Sequence, residues 1–448
     1  MVKEKHFYKT LFSIAIPSAL QSIISFSVGI ADTVMVGQLG DEALAGVAVS
    51  NQVNAFLFSL LAGVTSGSSV LIAQYWGKRD SNTIRQIFSF VFLLCVGVGF
   101  LANVAALIFP YNVLRLMAGD NNALITAAIP YFTTVSFSYI LFAATTSLAG
   151  MLRTVEVVMA VLFTSLSAAI TSIFLNWVLI FGNLGFPAMG VRGAGIATVI
   201  SRVIEFGVIA VYALCVQKKF RLRLTDLFRT KKYILKDYVK YGFPIALGDS
   251  QWAFVGVIKA AIIGHLGTFM VSANAIADTI MSLGFITSGS LAAGACVVVG
   301  KAVGAGDYKK VREYSNTIQI IFAIMAVVMA AIVFGVRMPV VGLFNVSEGV
   351  SELAVQLITI GAFTLIGTLY HASCFVGINR GAGDGRFVLI VDMICGWLIV
   401  LPLMYISAHV LRLALPLVFL ASRIDQCFKW IIAFIRLRGN RWIHNVTR

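Results

Sequence analysis

The sequence predicts an all-α integral membrane fold: twelve transmembrane helices in two pseudo-twofold-related six-helix bundles with a central cleft. Three observations predict it. The 448 residues are 59% hydrophobic and only 12% charged, whereas soluble domains carry about a quarter charged residues. Apolar runs of about twenty residues or more, each long enough to cross ~30 Å of hydrocarbon as a helix, recur along the whole chain. The second half of the chain also repeats landmarks of the first.

The first apolar run, 11–36, passes through Asp32 and has no small-residue cleavage site, so it reads as a retained helix rather than a removed signal peptide. Further runs follow at 44–72, 88–110, 124–150, 157–182, 192–216, 240–264, 272–300, 317–337, 352–377, 387–409 and 411–435. Basic residues gather in alternate connections: Lys3 to Lys9, Lys78 to Arg85, Lys218 to Lys240, Lys301 to Arg312 and Arg436 to Arg448. The intervening connections hold only isolated arginines such as Arg115, Arg192, Arg337 and Arg412. By the positive-inside rule both termini and the long middle connection then face the cytoplasm, an arrangement that twelve spans satisfy. The formal charge of +15 is thus a topology signal rather than a nucleic-acid surface.

The repeat appears at an offset of 227 residues, which pairs Pro17 with Pro244, Gly37-Gln-Leu-Gly40 with Gly264-His-Leu-Gly267, Gly77–Asp80 with Gly304–Asp307, and Arg153 with Arg380. Duplicated halves with an even number of spans share one orientation, and a cavity is expected between them. The predicted organisation is an N-terminal lobe over 1–216, a cytoplasmic linker over 217–239 and a C-terminal lobe over 240–448. Such symmetry suits alternating access by a secondary transporter. No HExxH or GxSxG pattern is present, and the six cysteines form no CxxC or His/Cys cluster, so an enzyme, a metal and a cofactor are not expected.

Ionisable residues inside a bilayer cost about 2.5–3.5 kcal/mol even on permissive scales, so each calls for a partner, a wet cavity or a function. Asp32 is the sharpest case and the candidate for binding the coupling ion. The offset places Lys259 at the position equivalent to Asp32, as a salt-bridge partner, a contact for anionic substrate groups, or a side chain snorkelling to the headgroups. Asp249 reads as a second protonation site or a partner of Lys240 or Arg423. Arg202 with Glu205, and Asp425 with Arg423 or Lys429, are spaced for structural pairs, while Asp278 and Asp392 are isolated acids in apolar runs. His371 is a proton-shuttle candidate set against a plain packing role. Asn51, Tyr139, Gln251, Trp252, Asn274 and Tyr370 are candidates for the cleft lining, where aromatic faces suit lipophilic cations. Pro17 removes a helix hydrogen bond and is the candidate hinge.

Four stretches carry a family resemblance: IADTVMVGQLG (30–40), LNWVLIFGNLGFPAMGVRGAGIATVISRVIE (175–205), INRGAGDGRF (378–387) and IDQCFKWIIAFIRLRGNRW (424–442). Over nearly its entire length the chain resembles the multidrug and toxic compound extrusion (MATE) family. The resemblance implies export of amphipathic organic cations in exchange for H⁺, or less favourably Na⁺; the short loops and the lack of large extramembrane domains point to a bacterial inner membrane, and a monomer is expected. It assigns the family's helix-one aspartate to Asp32, its helix-five asparagine to Asn176 and its helix-seven acid to Asp249. Ile180 stands where some proton-coupled relatives place a second aspartate, and no carboxylate occupies the region around Tyr370 and His371 where sodium-coupled relatives have one. The rival reading is a flippase for lipid-linked precursors, a class whose clefts are more cationic, as Lys259 would make this one.

Overall fold

The computed structural model describes residues 2–119, 121–217, 222, 225, 230–344, 346–439 and 441–447, and among them every regular element is a helix. Helix α1 (Lys5–Gly37) runs unbroken through Pro17, and α2 (Asp41–Gly77) follows after a tight turn. Asp80 caps α3 (Ser81–Ile108) by accepting from the Thr83 amide. A short α4 (Pro110–Ala118) opens on proline, which has no amide hydrogen to leave unpaired at a helix start. The expected run over 124–150 folds as α5 (Asn122–Ser136) and α6 (Ser138–Thr154), bent by 50°. Helix α7 (Val158–Phe181) ends where Gly182 adopts φ +75°, and α8 (Gly190–Val211) completes the first half.

Of the expected 217–239 linker, residues 218–221, 223–224 and 226–229 lie outside the described residues, and the remainder holds the short α9 (Lys232–Asp237). Then come α10 (Phe243–His265), α11 (Thr268–Gly304), α12 (Tyr308–Val341) and α13 (Glu348–Ser373). Helices α14 (Gly385–Met393) and α15 (Leu401–Tyr405) join through a π-helical stretch into one run ending at Val410. The expected last span, 411–435, is interrupted: α16 (Leu415–Ala421) and α17 (Lys429–Arg438) flank a 3₁₀ turn at Ile424–Cys427. The interruption carries Arg423 and Asp425, and Lys429 opens α17; the charges of all three turn inward. Among the described residues, ten helices are long and apolar enough to cross a membrane, or up to eleven if the bent pair is one span.

The 227-residue repeat is structural. Helices α2 and α11 are each 37 residues long and begin and end at equivalent positions. Gly40 (φ +108°) and Gly267 (φ +96°) make the same turn, as do Arg79 (φ +63°) and Gly306 (φ +76°). Asp307 caps α12 through the Lys310 amide as Asp80 caps α3.

The chain forms two compact units. One comprises Met1–Ala19, Ala73–Arg79 and Val239–Arg448; the other comprises Leu20–Ile72 and Asp80–Tyr238. The first unit draws in the ends of α1 and α2 because both lie directly on α11. A methyl group at Gly294 would meet the Leu11 carbonyl oxygen at 2.7 Å. At Gly77 it would lie 2.0 Å from the Lys301 carbonyl oxygen, and at Gly304 1.8 Å from that of Gln74. Gln74 is fully buried and ties down the chain's end by donating to the Gly381 and His444 carbonyls and accepting from the Val446 amide. Leu11, Val298, Phe322 and Ile378 centre one core of this unit, and Met281, Leu357 and Leu369 another. Since only backbone stands opposite Gly304, Gly304→Ala is expected to cost about 3 kcal/mol, the upper range for overpacking, read as a lowered melting temperature in detergent.

The second unit places α7 against α8 around Val178, Leu179 and Ala197. Gly193 permits this, because a Cβ there would lie 2.5 Å from the Leu179 carbonyl oxygen. That close pairing occupies the centre of the 175–205 stretch and sets the position of Asn176.

Candidate functional site

Asp32 lies in the last third of α1, and the packed pair α7–α8 brings Asn176 to it. The Asn176 Nδ2 donates to Asp32 Oδ1 at 2.6 Å. Asn176 is buried, and its Oδ1 has no hydrogen-bond partner among the described residues. The pair borders a cavity of about 60 Å³, whose wall also includes Asn51, Tyr131, Ala194 and Thr198. That volume holds a few waters and no drug-sized molecule.

A polar string leads away from the cavity. Tyr131 Oη donates to Asn51 Oδ1 at 3.4 Å, Asn54 Nδ2 donates to the same oxygen at 3.2 Å, and Tyr139 Oη donates to Asn54 Oδ1 at 2.6 Å. The structure thus gathers Asp32, Asn176, Asn51 and Tyr139 into one neighbourhood, with Asn54 as the bridge. Tyr131 and Thr198 were not singled out from the sequence. Nothing but their polarity within apolar runs distinguishes them there, and their role appears only when α5 and α8 meet α1. The expected Arg202–Glu205 pair forms at 2.5 Å, with the Arg202 guanidinium 4.6 Å from the Phe142 ring.

In the other unit Asp249 pairs with neither Lys240 nor Arg423. Its partner is Arg380, at 2.7 Å. The repeat explains why: Arg153, equivalent to Arg380, reaches the matching turn of α1 and donates to Gln21 at 2.9 Å. Each half therefore directs an arginine at its own first helix just past the proline, one to an amide and the other to a carboxylate. Asp249 thereby has a basic partner, as one of its two readings expected, but a different one from Lys240 or Arg423.

Lys259 turns back onto the protein. Its Nζ donates to the Ser422 carbonyl at 2.9 Å, at the end of α16. Nearby residues form a buried charge cluster in which Lys429, 1% exposed, bridges Asp392 at 2.9 Å and Asp425 at 3.0 Å. The Lys429 ammonium also lies 4.4 Å from the Trp252 ring centre. Gln251 accepts from Trp397 Nε1 at 3.0 Å, while its buried Nε2 has no partner among the described residues. Asn274 donates to Asp278, which Arg423 approaches at 3.5 Å. Asp278 and Asp392 are therefore both partnered. The i, i+4 spacing of Asp425 and Lys429 was legible; the addition of Asp392, far away in sequence, was not.

His371 is buried and bonds through Nδ1 to the carbonyl of Gly367 on its own helix, in contact with Phe375. Tyr370 donates to Gln319 and faces a separate groove. The 378–387 stretch is structural as well: Asp384 accepts a two-pronged bond from Arg436 at 2.8 and 2.9 Å.

The MatE family model matches residues 17–178 and 244–406, once in each half and again starting from the two paired prolines. The chain is 25% identical to the "Uncharacterized transporter YisQ" of Bacillus subtilis over 97% of this chain and 95% of that one. It is likewise 25% identical to a "Probable multidrug resistance protein NorM" of Thermotoga maritima, over 97% of this chain and 93% of the relative. Among solved structures, a MOP superfamily transporter from Pyrococcus furiosus superposes with a TM-score of 0.86 at 22% identity, covering 96% of this chain and 95% of that one.

Proposed function

Because the chain belongs to the MatE family of membrane transporters, which are not enzymes, we propose that it is a secondary active multidrug efflux antiporter exporting amphipathic organic cations in exchange for H⁺. The observation that carries this reading is the Asp32–Asn176 pair beside its small cavity. A carboxylate accepts hydrogen bonds, whereas a carboxylic acid also donates one; an amide answers both by presenting its NH₂ or its oxygen. Asn176 donates to Asp32 while its own oxygen stands unpartnered. Rotating the amide presents that oxygen to a protonated Asp32, so one proton suffices to rearrange the contact. The cavity supplies a single carboxylate, which matches a proton better than a metal cation needing several oxygen ligands. This supports H⁺ over Na⁺, and Asp32 with Asn176 as the coupling pair. Asn51 and Tyr139 relay the change into α2 and α6.

The proposed organisation has the interrupted α16–α17 segment as the twelfth span, lobes over 1–216 and 240–448, and both termini at the cytoplasmic face of a bacterial inner membrane. The protein acts as a monomer. Pro17 lies inside α1, and the division between the two compact units falls two residues beyond it. Proline leaves the Ser13 carbonyl without its helical donor, giving α1 its bending point. Pro17→Ala restores that donor and is expected to slow transport about tenfold, the equivalent of ~1.4 kcal/mol added to the conformational barrier. Stopped-flow efflux at unchanged protein content measures it, and an unaltered rate removes Pro17 as the hinge.

Efflux of a fluorescent lipophilic cation from proteoliposomes, under an imposed proton gradient and then a sodium gradient, tests the reading as a whole. Efflux driven only by sodium overturns the choice of ion. If neither gradient drives efflux while a lipid-linked precursor crosses the bilayer, the protein is a flippase.

A further inference from the structure

A groove of about 840 Å³ lies between α12, α13 and α17, away from the Asp32 cavity and the Lys429 cluster. Its composition is graded. Arg312, in the first turns of α12, and Arg438, at the end of α17, stand at one mouth; Asn316 and Gln319 come next; Ile320 and Val327 line the far end. From Arg312 to Val327 is fifteen residues of one helix, or about 22 Å at 1.5 Å per residue. Half of a bilayer, headgroups included, is also about 22 Å. The groove therefore matches one leaflet in length and is charged at one end and apolar at the other.

Charge decides the occupant. Among the described residues neither arginine has an ion pair, and the groove wall contains no carboxylate. The Arg438 guanidinium lies 4.3 Å from the Phe434 ring centre, which holds it at the mouth. Trp430, 43% exposed, lines the groove eight residues before Arg438, about 12 Å further along α17 and so on its apolar side. Two guanidiniums repel a cationic substrate and favour a phosphodiester, while the aliphatic far end takes an acyl chain. We propose that this groove is a binding site for an anionic phospholipid, phosphate on Arg312 and Arg438 and one chain along α12 to Val327. In the orientation proposed above, the lipid comes from the inner leaflet, where basic pockets between helices hold anionic headgroups. Asn316 and Gln319 stand level with the ester groups.

Native mass spectrometry of the full-length protein in detergent, titrated with phosphatidylglycerol or phosphatidylcholine of matched chains, tests the site by binding alone. Its outcome is therefore independent of whether the transport reading holds. Wild type is expected to prefer phosphatidylglycerol about 30-fold, the scale for two basic residues at a headgroup. The double variant R312Q/R438Q should bind both lipids equally, and V327W, which fills the apolar end, should lose both. Both arginines are exposed, so their replacement leaves the fold intact. Equal binding by wild type, a preference retained in R312Q/R438Q, unchanged binding by V327W, or full competition by glycerol 3-phosphate without chains each overturns the proposal.

Discussion

Proteoliposomes carrying Asp32→Asn are expected to show proton-driven cation efflux at background, a loss on the order of 100-fold or more. The substitution keeps the shape of the side chain and removes its ability to change charge. The contact with Asn176, 2.6 Å long in the wild type, becomes an amide–amide bond that no proton can rearrange. Hydrogen bonds to charged groups are worth about 1.5–3 kcal/mol, and ~2.7 kcal/mol corresponds to 100-fold. Substrate binding should survive, because the cavity beside Asp32 is too small to be the drug site. Equilibrium binding of the fluorescent cation, measured alongside efflux, separates lost coupling from lost affinity. Undiminished efflux in this variant removes Asp32 as the coupling residue.

Lys429→Met is expected to destabilise the protein by about 3–5 kcal/mol, the range for removing one partner of a buried ion pair. Asp425 is fully buried and Asp392 nearly so, and both depend on the Lys429 ammonium. Without it, two carboxylates face each other and the π-face of Trp252. The triple variant Asp392→Asn, Asp425→Asn, Lys429→Met removes the charges together and should recover most of the loss, since replacing a whole buried network is often close to neutral. Thermal melting in detergent checks the order: wild type and triple variant close together, the single variant far below. A single variant as stable as wild type would mean that the cluster is solvated.

The apolar runs were legible because each long helix must present carbon to lipid on several faces, and eleven of the expected segments become helical spans or a bent pair. The twelfth is broken where the sequence predicts a continuous run over 411–435. Arg423, Asp425 and Lys429 look like a charged helix end in sequence, yet they break the helix and bond inward. Asp32 announced itself through the cost of a charge in a membrane, and Asn176 through the family resemblance. Tyr131 and Thr198 gave no comparable signal, because a single hydroxyl in an apolar run costs little. The partner of Lys259 was unreadable for a different reason: a backbone carbonyl belongs to every residue, and only the fold shows that Ser422 provides it. The Arg380–Asp249 pair is closer to legible, since the offset of 227 matches Arg380 to Arg153 and each reaches the first helix of its own half.

The close crossing of α2 and α11 also bears on ancestry. Gly77 meets Lys301 and Gly304 meets Gln74, and at the offset of 227 residues Lys301 is the counterpart of Gln74 as Gly304 is of Gly77. Residue i of one copy touches residue j of the other, and j touches i, which is the rule for an isologous contact about a twofold axis. Two separate, identical half-length chains inserted in the same direction obey the same rule. The crossing keeps that reciprocity although the two copies differ elsewhere, with an acid at position 32 and a lysine at 259.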